Sequence, residues 1–235
     1  MTLLKAEGVV GGYARADMIL KGVSIHAGAG EIVALLGPNG AGKSTFLKAV
    51  AGQLKVREGT IRVDGAEVAN LRPRQIAQRG VAYVPQEANV FPSMTVRENL
   101  EMGGYLAPRA APARIAALFD RFPILAEKRR EAARTLSGGQ RQILAVAIAQ
   151  MVEPKLLLLD EPSAGLSPVA AAELFATIRR VRDQGVGIVL VEQNALEALD
   201  LADRAYILAA GQNHIDGPAQ TLARDADVRR AFLGG

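Results

Sequence analysis

The stretch Gly37-Pro38-Asn39-Gly40-Ala41-Gly42-Lys43-Ser44-Thr45, set between the apolar run Ile32 to Leu36 and a helical pattern, constrains this chain more than any other. Its spacing is G-x-x-x-x-G-K-[ST], and a strand before with a helix after is the setting in which that spacing binds phosphate. Glycines let backbone amides turn inward around phosphate oxygens, and the following helix directs its positive end at them. Lys43 then adds charge near the β and γ phosphates, and Ser44 is placed to bind Mg²⁺. A glycine-rich turn that merely contains a lysine would not need this strand and this helix.

Around the loop, short β-rich runs alternate with helical patterns, which argues for a sheet carrying helices. The strands expected are Leu3 to Val9, Ile32 to Leu36, Thr60 to Val63, Val81 to Val84, Leu156 to Leu159, Gly187 to Val191 and Ala205 to Leu208. Runs such as Leu156-Leu157-Leu158-Leu159 are apolar throughout, which suits strands buried on both faces of a parallel sheet. Near the N-terminus, Val63-Asp64-Gly65 ends a strand in a hairpin-type Asp-Gly and predicts an added antiparallel β piece. Thr95-Val96-Arg97-Glu98 has capping-box spacing, so a helix should begin near Val96. Pro168 can open another, with Leu174, Ile178 and Val181 on one face and Arg179, Arg180 and Arg182 largely off it. Between Glu87 and Arg134 the β-rich runs stop and helical spacing dominates. The fold expected is therefore α/β, with residues 1–86 and 135–235 as core, 87–134 as most of an inserted α-helical lobe, and all of 1–235 as one domain.

Composition agrees with one globular α/β unit. The chain has 235 residues, 28 Lys and Arg against 24 Asp and Glu, and a hydrophobic fraction of 49%. With no cysteine, a disulfide scaffold, a thiolate metal site and a cysteine nucleophile are excluded. The opening MTLLKAEGVVGGY lacks a secretory layout, and apolar stretches such as Ile143 to Ala149 are far short of a membrane span. The net charge of +4 is spread along the chain, and the runs Lys128 to Arg130 and Arg179 to Arg182 read as solvated helix faces rather than a nucleic-acid surface.

Two further motifs carry chemistry. Leu156-Leu157-Leu158-Leu159-Asp160-Glu161 is an apolar strand delivering two carboxylates at its C-terminal end, where open parallel sheets bind ligands. Asp160 is expected to hold Mg²⁺ through its coordinated water, and Glu161 to orient and deprotonate an attacking water. An isolated acid pair after a strand more often caps the next helix; the phosphate loop upstream reverses that reading. In Leu136-Ser137-Gly138-Gly139-Gln140, Ser137 and Gln140 have the Ser-x-x-Gln spacing of a helix start, and two glycines leave its amides open. A chain with one phosphate loop does not obviously need this second anion-binding helix end, whose natural use is to grip nucleotide held by a partner subunit.

With LSGGQ lying between the phosphate loop and the LLLLDE strand, the chain resembles the ATP-binding subunits of ABC transporters over essentially its whole length. The resemblance implies an ATPase working as a pair of subunits, each ATP held between one chain's phosphate loop and the other's LSGGQ. It implies that Tyr13 stacks on adenine, although an aromatic before a short strand is more often packing. Gln86, in Val84-Pro85-Gln86, becomes a loop glutamine contacting Mg²⁺ and facing the membrane partner, and Ser163 to Leu166 a loop touching the second ATPase. The place is then the cytoplasmic face of the inner membrane, as a peripheral subunit bound to membrane-spanning permease subunits and served indirectly by a substrate-binding protein.

One departure stands out. The switch position after the last core strand usually carries histidine in this family, but Val191-Glu192-Gln193-Asn194 supplies Gln193, and the two histidines, His26 and His214, are remote in sequence. Glutamine can hydrogen-bond a γ-phosphate but cannot carry a proton, so Gln193 is a candidate sensor. VEQN, the segment Val90 to Gly104 and the ending Phe232-Leu233-Gly234-Gly235 are similar to the second ATPase subunit of bacterial branched-chain amino-acid importers. Importers of urea or short amides look much alike. Val90, Phe91 and Met94 either seat a helix of the membrane subunit or belong to the core of the helical lobe. Soluble ABC ATPases of ribosomes or DNA share the nucleotide motifs but usually fuse two halves or insert long coiled coils, and a P-loop GTPase would need an Asn-Lys-x-Asp motif that does not occur here. The second ATPase is expected to be a related, different chain, with a homodimer possible in isolation.

Overall fold

A computed structural model describes residues 2–13, 18–225 and 228. The chain runs β1 (Thr2–Gly11), β2 (Leu20–Gly28), β3 (Ile32–Leu36), α1 (Lys43–Val50), β4 (Val56–Val63), β5 (Ala66–Glu67), α2 (Pro73–Gln78) and β6 (Val81–Val84). Then come α3 (Val96–Gly103), α4 (Ala111–Arg121), α5 (Pro123–Glu127), a 3-10 turn at Ala133–Thr135 and α6 (Gly138–Gln150). The remainder is β7 (Leu156–Asp160), α7 (Pro168–Arg182), β8 (Gly187–Val191), α8 (Ala195–Leu201), β9 (Arg204–Ala209), β10 (Gln212–Pro218) and α9 (Ala219–Arg224).

The strands form two sheets. One is antiparallel in the order β2-β1-β4-β5; the other, in the order β10-β9-β3-β8-β7-β6, is parallel except for β10. The Asp64-Gly65 turn joins β4 to β5 with φ of 50° and 76°, the paired positive values of a two-residue hairpin turn. Every residue of β3, β7 and β8 is buried, as their apolar runs predict. Alternation along β3 then divides the core: Val33 and Leu35 face α1 and the antiparallel sheet, whereas Ile32, Ala34 and Leu36 face the layer containing α6 and α7. Each leucine of β7, fully buried, contributes about 1.5–3 kcal/mol of hydrophobic stabilisation.

Helix starts follow local chemistry. Thr95 accepts from the Glu98 amide while the Glu98 side chain accepts from the Thr95 amide, opening α3 where expected. Ser137 and Gln140 make the same reciprocal pair ahead of α6. Pro168 occupies the first position of α7, capped by Ser167, and Leu174, Ile178 and Val181 are its fully buried stripe. Between 87 and 134 the regular elements described are α3, α4, α5 and the start of the 3-10 turn, joined by turns and one isolated bridge, Thr95 to Ala132.

The sequence reading did not anticipate β2 and β10, and foresaw β5 only as the piece beyond the Asp64-Gly65 turn. In β2 and β10, glycines and polar residues interrupt the apolar pattern because both are sheet edges with one solvated face. These two edges meet. The Asn213 side chain accepts from the Ser24 amide and donates to the Ser24 carbonyl, both at 2.8 Å, so β10 joins β2 through a side chain acting as a ladder rung. Lys21 N–H donates to the Gly211 carbonyl nearby. The Phe232 to Gly235 ending lies outside the described residues.

Candidate functional site

The phosphate loop leaves the C-terminal end of β3 and turns into α1. Its first glycine is obligatory on two counts: Gly37 has φ of 140°, and a Cβ there would lie 2.2 Å from the Leu208 carbonyl oxygen. Gly42 precedes α1, and no side chain caps the helix, so its first amides, from Lys43 to Thr45, remain open toward the loop that runs through Pro38, Asn39, Gly40 and Ala41. Lys43 is buried, with Nζ donating to the carbonyls of Gly37 at 2.8 Å and Pro38 at 3.2 Å. Burial pulls its ammonium below the usual lysine range, while Glu161 and Asp160 pull the other way. A basic group is thus held inside a ring of backbone.

The acid pair arrives beside it because β7 ends at the same edge of the sheet. Ser44 Oγ donates to Asp160 Oδ1 at 2.7 Å, joining the residues expected to share Mg²⁺. Glu161 has a left-handed backbone, φ 45°, uncommon for a side chain of this kind, and its N–H donates to the Val191 carbonyl at 2.9 Å. Gln86 Nε2 donates to Glu161 Oε2, which leaves the Gln86 amide oxygen to face another group. Among the described residues no set of three or more His, Cys, Asp or Glu gathers to hold a metal. Ser44, Asp160 and the Gln86 oxygen are nevertheless the hard oxygen donors that suit Mg²⁺ sharing its shell with nucleotide oxygens.

The other expected residues are more scattered. Tyr13 is 60% exposed, and its hydroxyl accepts from Lys48 Nζ at 3.2 Å with the ammonium 5.6 Å from the ring centroid, so it is tied to the last turn of α1. The LSGGQ helix start does not join the phosphate loop: the atoms nearest Gly138 and Gly139 belong to Leu166 and Ala170. Gln193 is exposed just beyond β8, beside a cleft of about 330 Å³ lined also by Ser163, Leu166 and Glu197. His26 lies in β2 and His214 in β10, away from this edge. Phe91 is exposed, whereas Val90 packs against the core of the helical layer.

Two residues escaped the sequence reading. Tyr83, in β6, donates its hydroxyl to Asp160 Oδ2 at 3.0 Å; burial first, then Asp160, pushes its phenol far above the usual range, so it stays a donor. Its signal was only an aromatic in an apolar strand. Glu192 is 2% exposed and its carboxylate accepts from Ser163 N–H at 3.0 Å and Ser163 Oγ at 2.8 Å. Burial pushes Glu192 up despite these bonds. An acid directly after an all-apolar strand could have been flagged.

Known proteins can be set beside this geometry. A family model described as ABC transporter matches residues 20–164. The high-affinity branched-chain amino acid transport ATP-binding protein BraG of Pseudomonas aeruginosa is 43% identical over 217 residues, 92% of this chain and 93% of BraG. The lipopolysaccharide export system ATP-binding protein LptB of Haemophilus influenzae is 36% identical over 238 residues, 100% of this chain and 98% of LptB. The crystal structure of the ADP conformation of an ATP-binding cassette of an ABC transporter superposes with a TM-score of 0.88 at 27% identity, covering 100% of both chains.

Proposed function

We propose that this chain, which belongs to the ABC transporter family and is an ABC ATPase, hydrolyses ATP to energise import of branched-chain amino acids. The observation that carries the chemistry is the meeting of Lys43, Ser44, Asp160, Gln86 and Glu161 at one edge of the parallel sheet. The likeness to BraG supports the transported class, and the VEQN segment supports the same subfamily.

In this reading residues 1–235 act as one cassette, with 87–134 forming most of its helical lobe. The loop amides from Gly37 to Thr45 and Lys43 bind the ATP phosphates, and Tyr13 stacks on the base. Mg²⁺, when bound with the nucleotide, is held by Ser44, Asp160 and Gln86 and offsets phosphate charge. Glu161 takes the proton of the attacking water, and Gln193 donates to the γ-phosphate. Ser137, Gly138, Gly139 and Gln140 grip the nucleotide of a second ATPase; in their own chain Gly138 and Gly139 pack beside Leu166 and Ala170. The nucleotide favours the closed pair, and that difference in affinity moves attached permease subunits. No helix among the described residues is long and apolar enough to cross a membrane, which suits peripheral attachment.

Full-length likeness to LptB favours a second reading, lipopolysaccharide export. The test is uptake of labelled leucine, isoleucine and valine by the native host lacking this chain, restored with either the parent or Glu161→Gln. Uptake restored only by the parent supports the import reading. Undiminished uptake with lipopolysaccharide retained in the inner membrane transfers the function to export; a defect in urea or amide uptake alone changes the substrate.

A further inference from the structure

The β7–β8 pairing ends at Asp160 opposite Val191, and the chain beyond β7 then turns away through Glu161, Pro162 and Ser163. Backbone pairing is extended by one bond, Glu161 N–H to the Val191 carbonyl. Pro162 has no N–H to give. The next available donor, Ser163 N–H, is taken by the Glu192 carboxylate, which also accepts from Ser163 Oγ. One buried carboxylate, on the residue bonded directly to Gln193, therefore grips the loop after Glu161. An acid buried this deeply is unfavourable unless its bonds are satisfied, so the arrangement holds its partners in one geometry.

We propose that Glu192 is a positioning residue: by gripping Ser163 from the position next to Gln193, it locks the Ser163–Leu166 loop to the Gln193 switch so that the two move as one unit. The proposal rests on the reading of Gln193 and that loop as parts of the ATPase machinery. Glutamine should serve nearly as well as glutamate, because its amide oxygen can accept from Ser163 N–H and its NH₂ can donate to Ser163 Oγ. Alanine leaves the Ser163 amide without this partner. Ser163→Ala should overlap with Glu192→Ala instead of adding to it, since both break the same bonds.

Two measurements on the full chain decide it. In the nucleotide-free protein, hydrogen exchange at residues 163–166 and 192–194 should quicken together by about tenfold or more in Glu192→Ala and stay near the parent in Glu192→Gln. Unchanged exchange in Glu192→Ala, or release of one segment alone, overturns the proposal whatever the ATPase does. In the assembled transporter, Glu192→Ala should lower kcat by about tenfold with KM for ATP within about twofold, while Glu192→Gln stays within about threefold of the parent. A Glu192→Gln as slow as Glu192→Ala, or additive losses in Ser163→Ala/Glu192→Ala, also overturns it. Failure of the parent itself to hydrolyse ATP removes the functional reading and leaves the exchange result to judge the lock.

Discussion

Gln86 and Glu161, 75 positions apart in sequence, meet side chain to side chain, the glutamine Nε2 donating to the glutamate Oε2 across 3.0 Å. They meet because β6 and β7 are parallel neighbours in register, Val84 beside Leu159, so the loops leaving both strands emerge together. The proposed base is therefore already bonded to the residue proposed to face the permease. A shift of the Gln86 loop changes what the Glu161 carboxylate touches without any movement of β7.

Glu161→Gln keeps this contact's shape but removes the base. ATP binding should persist while turnover falls by about 100-fold or more. Phosphate release and fluorescent-nucleotide binding, measured side by side, check it; release at the parental rate takes Glu161 out of the role.

Gln193→Ala removes the exposed donor beyond β8. Turnover by the assembled transporter should drop about tenfold or more, the scale of losing one donor to developing charge. An unchanged rate assigns γ-phosphate sensing elsewhere.

Tyr83→Phe deletes the hydroxyl that holds Asp160 Oδ2 and little else. The Mg²⁺ concentration needed for half-maximal ATPase should rise about tenfold, as when an outer partner of a metal ligand is lost. A Mg²⁺ titration of both proteins at fixed ATP reads this directly, and superimposable curves count against it.

Gly37→Ala forces a Cβ to within 2.2 Å of the Leu208 carbonyl at a φ of 140°. The cost should exceed about 2 kcal/mol, seen as a lower urea midpoint. Gly65→Ala, where nothing lies within 4 Å of the added atom, isolates the cost of positive φ alone and should lose less.

Thr95 and Glu98 make a pH-dependent cap. The Thr95 amide, then its hydroxyl, holds the Glu98 carboxyl below its usual value of 4.5. A carboxyl lowered by folding contributes stability above its unfolded pKa and loses it as pH falls through the folded one. Glu98→Gln, which keeps a capping oxygen without the charge, should melt below the parent at neutral pH and converge with it in the acid range under 4.5. Thr95→Ala should cost about 1 kcal/mol at neutral pH.

Short-range chemistry made much of this legible in advance. The phosphate loop, the two capping boxes, Pro168 and the Asp64-Gly65 turn each depend on residues within a few positions, and the structure places α1, α3, α6, α7 and the β4–β5 hairpin accordingly. The all-apolar runs of β7 and β8 likewise leave little choice but burial. What escaped depends on neighbours that only the assembled sheet supplies. Tyr83 meets Asp160 across 77 positions, and Glu192 meets Ser163 across 29. β10 escaped for a different reason: with Gly217, Pro218 and alternate exposure, it has no pattern of its own and is a strand because β9 is there to pair with it.

The rung formed by Asn213 and Ser24 also bears on solubility. A free sheet edge is a template onto which another chain can add a strand, the first step toward aggregation. Here β2 and β10, one edge strand from each sheet, are turned on each other and bridged by the Asn213 carboxamide, by Gln212 Nε2 donating to the Lys21 carbonyl at 3.3 Å and by Lys21 N–H donating to the Gly211 carbonyl. Asn213→Leu would keep the bulk and drop both of its bonds, leaving the seam held only near Lys21 and presenting two polar strand edges around Ser24 to any neighbour in a concentrated solution.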